Sequence, residues 1–308
     1  MSSVTAKSSL LKIAIGQDQA GQFIPGLPLV AGMSVEELFF RARPTGKCGA
    51  LTLFRVDDWL IGAATLPTTG GLESTSHQLY RDILQTTHGL HLARIWNYVP
   101  AINELGPGNL ENYALFCRGR SLAFEQQHGS GFTTLLPSAS AVGTASANLT
   151  VAFAASTHGP RHLENPLQVP AYEYPAEYGP RSPSFARATV VPGAASATVF
   201  ISGTAAIRGH ATVAPHRLPD QLTCTLENLQ EISSACGLGP NLDRNGASTR
   251  HFKIYLRHAA DQPVVAAALE EKFLIPADRV SYLQADICRA SLLVEIEASL
   301  FDVKSIRA

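Results

Sequence analysis

What the sequence lacks narrows it first. Asp, Glu, Lys and Arg make up 16% of the 308 residues and the formal net charge is -1, where an ordinary domain is about a quarter charged. No stripe of Lys or Arg marks a polyanion surface, so nucleic acid is not expected as a partner. No apolar run approaches the ~18 residues of a membrane span. Lys12 interrupts the apolar stretch at 10–15, which argues against a signal peptide. No membrane partner is expected, and the chain reads as cytoplasmic. The five cysteines, at 48, 117, 224, 236 and 288, form no CxxC and no regular framework, and they read as reduced thiols. GxGxxG, Walker A, GxSxG and HExxH are absent, which lowers nucleotide, serine-hydrolase and zinc-protease readings together. The ten histidines scatter without ligand spacing, so neither a metal nor a cofactor is expected. What remains is chemistry done by carboxylate, Arg and Tyr.

The residues that are present suit a large core, with 45% hydrophobic in a chain long enough for two ordinary units. Residues 1–47 read as irregular, with a short helix at 35–41. From 51 the pattern sharpens into strands 51–58 and 59–65, a helix over 74–88 and a strand 92–99. Asn109 then caps a second helix over 110–127. Weaker strands fall near 133–136 and 145–154. Residues 155–186 break the rhythm: this stretch is dense in Pro, Tyr, Gly and Ser, and its Tyr172, Tyr174, Tyr178 and Phe185 mark an ordered binding segment rather than disorder. The second half repeats the first, with two strands, a helix over 220–235 stopped by Gly237, a strand 250–257, a helix over 263–275 and a terminal hairpin. The expected fold is α+β. Two similar β-β-α-β-α-β-β units, 1–154 and 155–308, lie side by side, with mainly antiparallel sheets and helices packed on one face.

The terminal hairpin, 280–287 and 292–300 around the turn Cys288-Arg289-Ala290-Ser291, carries the sharpest signal. Period-2 alternation places Leu292, Val294, Ile296 and Ala298 on one face and Glu295, Glu297 and Ser299 on the other. Two carboxylates on one face of an apolar strand make either a wet rim or a functional pair. Arginines stand at 118, 120, 181, 187 and 289. Arg120 shares a helical stripe with Tyr113, Phe116 and Phe124, where a guanidinium serves as a clamp on a substrate carboxylate or as a snorkelling side chain or salt bridge. Cys288 by itself reads as a plain buried thiol.

Together, ARIWNYVPAINE (93–104), NYALFCRGRSLAF (112–124), LENPLQVPAYEYPAEYGPRSPSFARAT (163–189), FISGTAAIRGH (200–210) and YLQADICRASLLVEIEA (282–298) resemble the chorismatase family. The last block also resembles, more distantly, the enamine/imine deaminases. The resemblance implies a cofactor-independent enzyme that takes pyruvate off chorismate, its small-molecule partner, with the site in the C-terminal half near the domain groove and the oligomeric state open, a monomer included. It implies Glu295 as the acid that protonates the enolpyruvyl ether, with Glu297 supporting it or facing water. Tyr113, Arg120, Tyr178 and Arg181 would form an anion-binding wall, with Gly203, Thr204 and Ala206 beside the substrate. Cys288 resembles the branch that makes 3-hydroxybenzoate, with some 4-isomer, whereas Ala206 resembles the branch that releases 3,4-dihydroxycyclohexa-1,5-diene carboxylate. The competing readings are that hydrolase, an imine/enamine deaminase, and a non-catalytic ligand-binding or scaffold protein.

Overall fold

The computed structural model describes residues 9–306. Its first segment holds β1 (Lys12–Ile15), β2 (Gln22–Phe23), β3 (Leu29–Gly32) and β4 (Val35–Leu38). The helix expected at 35–41 is absent; β4 runs parallel to β1 with Ile15 opposite Leu38. The reason is tertiary: alternation buries Glu36 and Leu38 and joins Leu38 to a core cluster with Leu11, Ile13 and Ile15, and that pairing overrides a short helix-compatible run.

The first repeat follows as β5 (Arg43–Cys48), β6 (Leu51–Val56), β7 (Trp59–Pro67), α1 (Leu72–Thr86), β8 (His91–Pro100), α2 (Asn112–His128), β9 (Ser138–Thr144) and β10 (Asn148–Ser156). Two expectations shift here. Asn109 does not cap α2; it sits in the preceding 3-10 turn, and Glu111 holds the cap position without a side-chain bond. The strand expected at 133–136 is a 3-10 turn, and pairing begins at Ser138.

The second repeat comprises β11 (Arg161–Leu163), β12 (Ala188–Val191), β13 (Ala197–Ala205), β14 (Ile207–Arg208), β15 (Ala211–Thr212), α3 (Leu218–Ala235), β16 (Thr249–Leu256), α4 (Gln262–Lys272), β17 (Arg279–Gln284) and β18 (Val294–Val303). The six-stranded sheet runs β5-β6-β7-β10-β8-β9, and the seven-stranded sheet runs β11-β12-β13-β18-β16-β17-β3. Position by position these are one topology used twice, with antiparallel neighbours except β8–β9 and β16–β17, which are parallel. β3, from the N-terminal segment, adds the outer strand of the second sheet.

The expected terminal hairpin is a correction. β17 and β18 do not pair with each other, because β16 lies between them. The chain leaves β16, crosses through α4 and returns parallel as β17, so the next free position is on the far side of β16. The face assignment along β18 is unaffected: Val294, Ile296, Ala298 and Leu300 pack with α3 and α4 residues such as Leu222, Leu229 and Leu269. The first sheet packs α1 and α2 in the same way, through Leu79, Ile83, Phe116 and Phe124. Gly119 lets these two helices approach, since a Cβ there would run into the Glu73 carbonyl.

The opposite sheet faces meet each other, so the helices are outermost and the sheets innermost. Trp96, Tyr98, Ala152 and Ala154 of the first sheet share a cluster with Phe200, Tyr255 and Leu283 of the second. β16 is held at its far end by Arg250, whose Nε and Nη2 donate to Asp278 at 2.8 and 2.6 Å. Arg250 also donates to the carbonyls of Leu242 and Phe273. Both side chains of the pair are buried, so removing one partner leaves an uncompensated charge. Asp278→Ala is expected to lower unfolding free energy by about 3–5 kcal/mol in urea denaturation; a loss under about 1 kcal/mol would mean the pair carries no structural weight.

Candidate active site

β18 places two carboxylates on the face between the sheets, and their surroundings differ. Glu297 lies opposite Lys253 in the β16 register. Its oxygens bind Lys253 Nζ at 2.9 Å and Arg94 Nη2 at 2.8 Å. Trp96 Nε1 donates at 3.0 Å and the Tyr255 hydroxyl at 3.1 Å. Burial alone would raise the Glu297 pKa, but Lys253 and Arg94 outweigh it and hold the group well below the usual carboxylate range. It is 2% exposed, so the expectation that it supports the site fits this placement and the alternative that it faces water does not.

Glu295 is also buried, but among the described residues no cation is bound to it. It stands opposite Ala205 on β13 and Tyr255 on β16. Burial first, and the Glu297 charge second, push its pKa up to about 8 against weaker pulls from Arg94 and Arg187. At neutral pH it is therefore mainly a carboxylic acid. Room for it comes from Gly203, where a Cβ would fall on the carboxyl itself. The β13–β18 register slips between Ile201 and Thr204, a bulge that brings Gly203 beside the acid.

Glu295 opens into a cavity of ≈ 610 Å³ lined also by Cys288, Tyr113, Arg120, Tyr178 and Gly203, a size suited to a small organic ligand. The walls come from both repeats. α2 and the β9 residues Ala139–Ala141 face β13, β18 and the 288–292 loop, with residues 174–185 of the Tyr/Pro-rich segment across them. Cys288 reaches the same wall as Glu295 without the hairpin expected to join them; the loop after β17 carries it there. Burial, then the Glu295 charge, push its thiol up to about 12, so it is a neutral S–H.

Arg120 has the least ordinary environment. It is 2% exposed, and its guanidinium lies 5.2 Å from the Tyr80 ring centroid and 6.0 Å from that of Phe124. Its Nε and Nη2 are buried without hydrogen-bond partners, and among the described residues no carboxylate pairs with it. A buried unpaired guanidinium is costly unless an anion joins it. Two further arginines on the cavity, Arg187 and Arg289, were noted in the sequence without being assigned a role. Arg187 donates to the Tyr174 hydroxyl at 2.8 Å and to the Val169 carbonyl. Arg289 stacks 4.0 Å above the Tyr178 ring centroid and donates to Thr212. Tyr178 in turn contacts His210 Nδ1 at 3.2 Å.

Three expected residues lie off the wall. Arg181 pairs with Glu125 at 2.7 Å on the outer side of α2. Thr204 donates to the Ser202 carbonyl, and strand alternation sets it opposite Ile296, away from Glu295. Ala206 is wholly buried in a cluster with Cys224, Ile287 and Leu292. Ala205 and Ile207 line the cavity instead, because the bulge fixes which parity of this strand faces it.

Comparison with known proteins places this geometry in context. Residues 39–155 match the family model described as Chorismatase FkbO/Hyg5-like, N-terminal. A 3-hydroxybenzoate synthase of Streptomyces hygroscopicus is 36% identical over 267 residues, covering 82% of this chain and 76% of its own. A chorismatase of Streptomyces rapamycinicus is 36% identical over 264 residues, with 83% and 78% covered. The crystal structure of a chorismatase superposes with a TM-score of 0.78 at 28% identity, covering 97% of this chain and 95% of that one.

The raised Glu295 pKa has a thermodynamic consequence. A carboxyl at about 8 in the fold against 4.5 unfolded contributes stability that is full below the unfolded pKa and is lost as pH rises through the folded one. The stability of wild type relative to Glu295→Gln is therefore expected to fall steadily between about pH 4.5 and pH 8. Parallel denaturation series at half-unit steps check this; a difference that is flat or rises across that window would place the acid elsewhere.

Proposed function

Because the chain belongs to the chorismatase family and is an enzyme, we propose that it converts chorismate, without a cofactor, to pyruvate and a hydroxybenzoate, chiefly the 3-isomer. The observation that carries this reading is one cavity holding both a buried carboxylic acid, Glu295, and a buried guanidinium without a counter-ion, Arg120. Chorismate is a dianion with a ring carboxylate and an enolpyruvyl carboxylate. Arg120 takes one carboxylate, and Arg187 and Arg289 supply donors for the other on the same wall. Tyr113 and Tyr178 give the ring its aromatic and hydroxyl contacts.

Glu295 donates its proton to the terminal methylene of the enol ether, leaving an oxocarbenium ion whose charge the new Glu295 carboxylate balances. Attack on that cation by the ring hydroxyl or by water, followed by cleavage of the ring ether, releases pyruvate. On the water path the ring keeps both oxygens and becomes aromatic by losing water. On the ring-hydroxyl path pyruvate leaves with one ring oxygen as its carbonyl, and loss of a ring proton alone makes the ring aromatic. The sum of hydroxybenzoate and pyruvate equals chorismate, so no co-reactant is required. Cys288 supports the aromatising outcome, since its neutral thiol on the cavity wall is a weak donor able to guide the hydroxyl. The opposing marker, Ala206, is wholly buried beside Ala205 and Ile207 and is not itself a lining residue, which gives it less weight in this reading.

Incubation with chorismate, with pyruvate followed by a coupled assay and the ring products separated against authentic standards, tests the reading. Pyruvate with 3-hydroxybenzoate as the main product supports it, and exclusive formation of the dihydrodiol sinks the aromatising branch. Glu295→Gln is expected to lose at least ~100-fold in pyruvate release, the low end for general acid catalysis. Cys288→Ala is expected to move product toward the diol. Arg120→Ala is expected to weaken binding of an unreactive chorismate analogue by about 1.5–3 kcal/mol; an unchanged affinity in calorimetry would move the anion site.

A further inference from the structure

The two carboxylates of β18 are two residues apart on one strand face, which separates their backbones by about 7 Å. Both lie in the same buried layer between the sheets. Among the described residues two cations reach Glu297 and both bind it directly, while Arg94 keeps its Nε and Nη1 buried without hydrogen-bond partners. Arg94, from β8, binds it at 2.8 Å. Lys253, from β16, binds it at 2.9 Å and Glu36, from β4, at 2.7 Å, with the Tyr98 hydroxyl a further 3.0 Å contact. With Glu36 ionised, the set Arg94, Lys253, Glu36 and Glu297 is neutral as a whole; burial raises the Glu36 pKa against the pull of Lys253. Glu295 stands outside it.

We propose that Glu297 is a positioning residue for the reaction: clamped as a permanent carboxylate by Arg94 and Lys253, it keeps Glu295 in the acid form that donates the proton. This rests on the reading of Glu295 as the acid. The physical argument is charge balance in a buried layer. Ionising Glu295 would set a second negative charge about 7 Å from Glu297, and the two cations between the sheets are already neutralised. At an effective dielectric of ~20 this repulsion amounts to about one to two pH units. The remaining groups facing the pair do not reverse it. Arg94 first, and then Arg187 on the cavity side, pull the other way and are outweighed. Tyr98 and Tyr255 are held above their ordinary pKa by burial, and Cys288 is a neutral thiol. His251, next on the same face of β16, is lowered to about 4 by burial and by Arg279 and Lys253, so it is uncharged near neutrality.

The readout is the pH dependence of kcat. In wild type the rate is expected to fall as Glu295 ionises, near pH 8. In Glu297→Gln that basic limb is expected to move down by about one to two pH units, since the anion is gone and Arg94 and Lys253 are released to favour ionised Glu295. Chorismate KM at pH 6 should change less than kcat at pH 8. A residue that only braces the sheets would lower kcat equally at every pH and leave the limb in place; a folded Glu297→Gln with an unmoved limb overturns the proposal. Because that variant buries one excess cation, a charge-balanced double variant, Glu297→Gln with Lys253→Met, is measured beside it and should shift the limb in the same direction by a smaller amount, since one of the released cations is also gone. Should neither fold, infrared difference spectra of wild type minus Glu295→Gln at pH 6.5 decide. A protonated-carboxyl band lost from Glu295 while the Glu297 carboxylate band persists to pH 5 supports the proposal, and a Glu297 band that turns protonated above pH 5 overturns it. Failure of the underlying reading looks different: Glu295→Gln would then keep its activity.

Discussion

A carboxylate cannot be buried alone, and the burial of Glu297 organises the meeting of the two sheets. Its charge requires Arg94 from the first sheet and Lys253 from the second. Lys253 in turn requires Glu36 from the N-terminal segment. Three parts of the chain that are distant in sequence are thus fixed against one another by groups that tolerate little displacement. Buried ion pairs are weak evidence of net stability, since desolvation offsets most of the Coulomb gain. Most of the cohesion between the sheets must come from the apolar cluster around Trp96, Phe200 and Tyr255. What the ions add is registration: an apolar interface of Ala, Val and Phe could slide by a residue, whereas misplacing Glu297 would strand two cations.

Registration matters because the cavity has walls from both repeats. Arg120 and Tyr113 come from a helix on the outer side of the first sheet, while Glu295 and Cys288 come from the second. The two sheets are also stitched where the cavity lies, with Ser138 and Ala139 amides donating to Thr189 and Ser202 hydroxyls at 2.8 Å. The Tyr/Pro-rich segment then spans the opening and is itself tied down, through Arg187 to Tyr174 and through Ser182 to the Tyr174 carbonyl. A long irregular segment held by side-chain bonds of this kind orders its aromatic rings without a sheet or helix to do so.

Local signals were legible in the sequence and pairings were not. The period-2 pattern of 292–300 identified which residues of β18 share a face, because alternation depends on one strand alone; which face meets the helices and which the other sheet was not in it. The partner of that strand was misread. Adjacent strands joined by a short turn usually pair, and nothing in 280–291 announces that β16, which ends at Leu256, lies between them. The same limit explains the misplaced wall residues. Parity along 202–207 depends on a bulge at Gly203, so Thr204 and Ala206 turn inward while Ala205 and Ile207 face the cavity. Arg181 and Arg187 stand in one segment with similar surroundings in sequence; only the path of the chain sends the first to Glu125 and the second to the cavity. Arg120 was legible because a guanidinium on an aromatic helical stripe is anomalous wherever the helix packs.

The duplication makes the single acid intelligible. β10 occupies in the first sheet the place that β18 occupies in the second, central between the equivalent neighbours. On the face toward the other sheet, β10 carries Ala152 and Ala154 where β18 carries Glu295 and Glu297. A carboxylate pair on both central strands would put four negative groups into one layer that holds Arg94 and Lys253 as its cations beside Glu36. The small side chains of β10 instead leave space for Trp96, Phe200 and Tyr255, the rings that seal the network from water. One repeat thus provides the dry, packed surface against which the other can keep one carboxylate charged and its neighbour neutral.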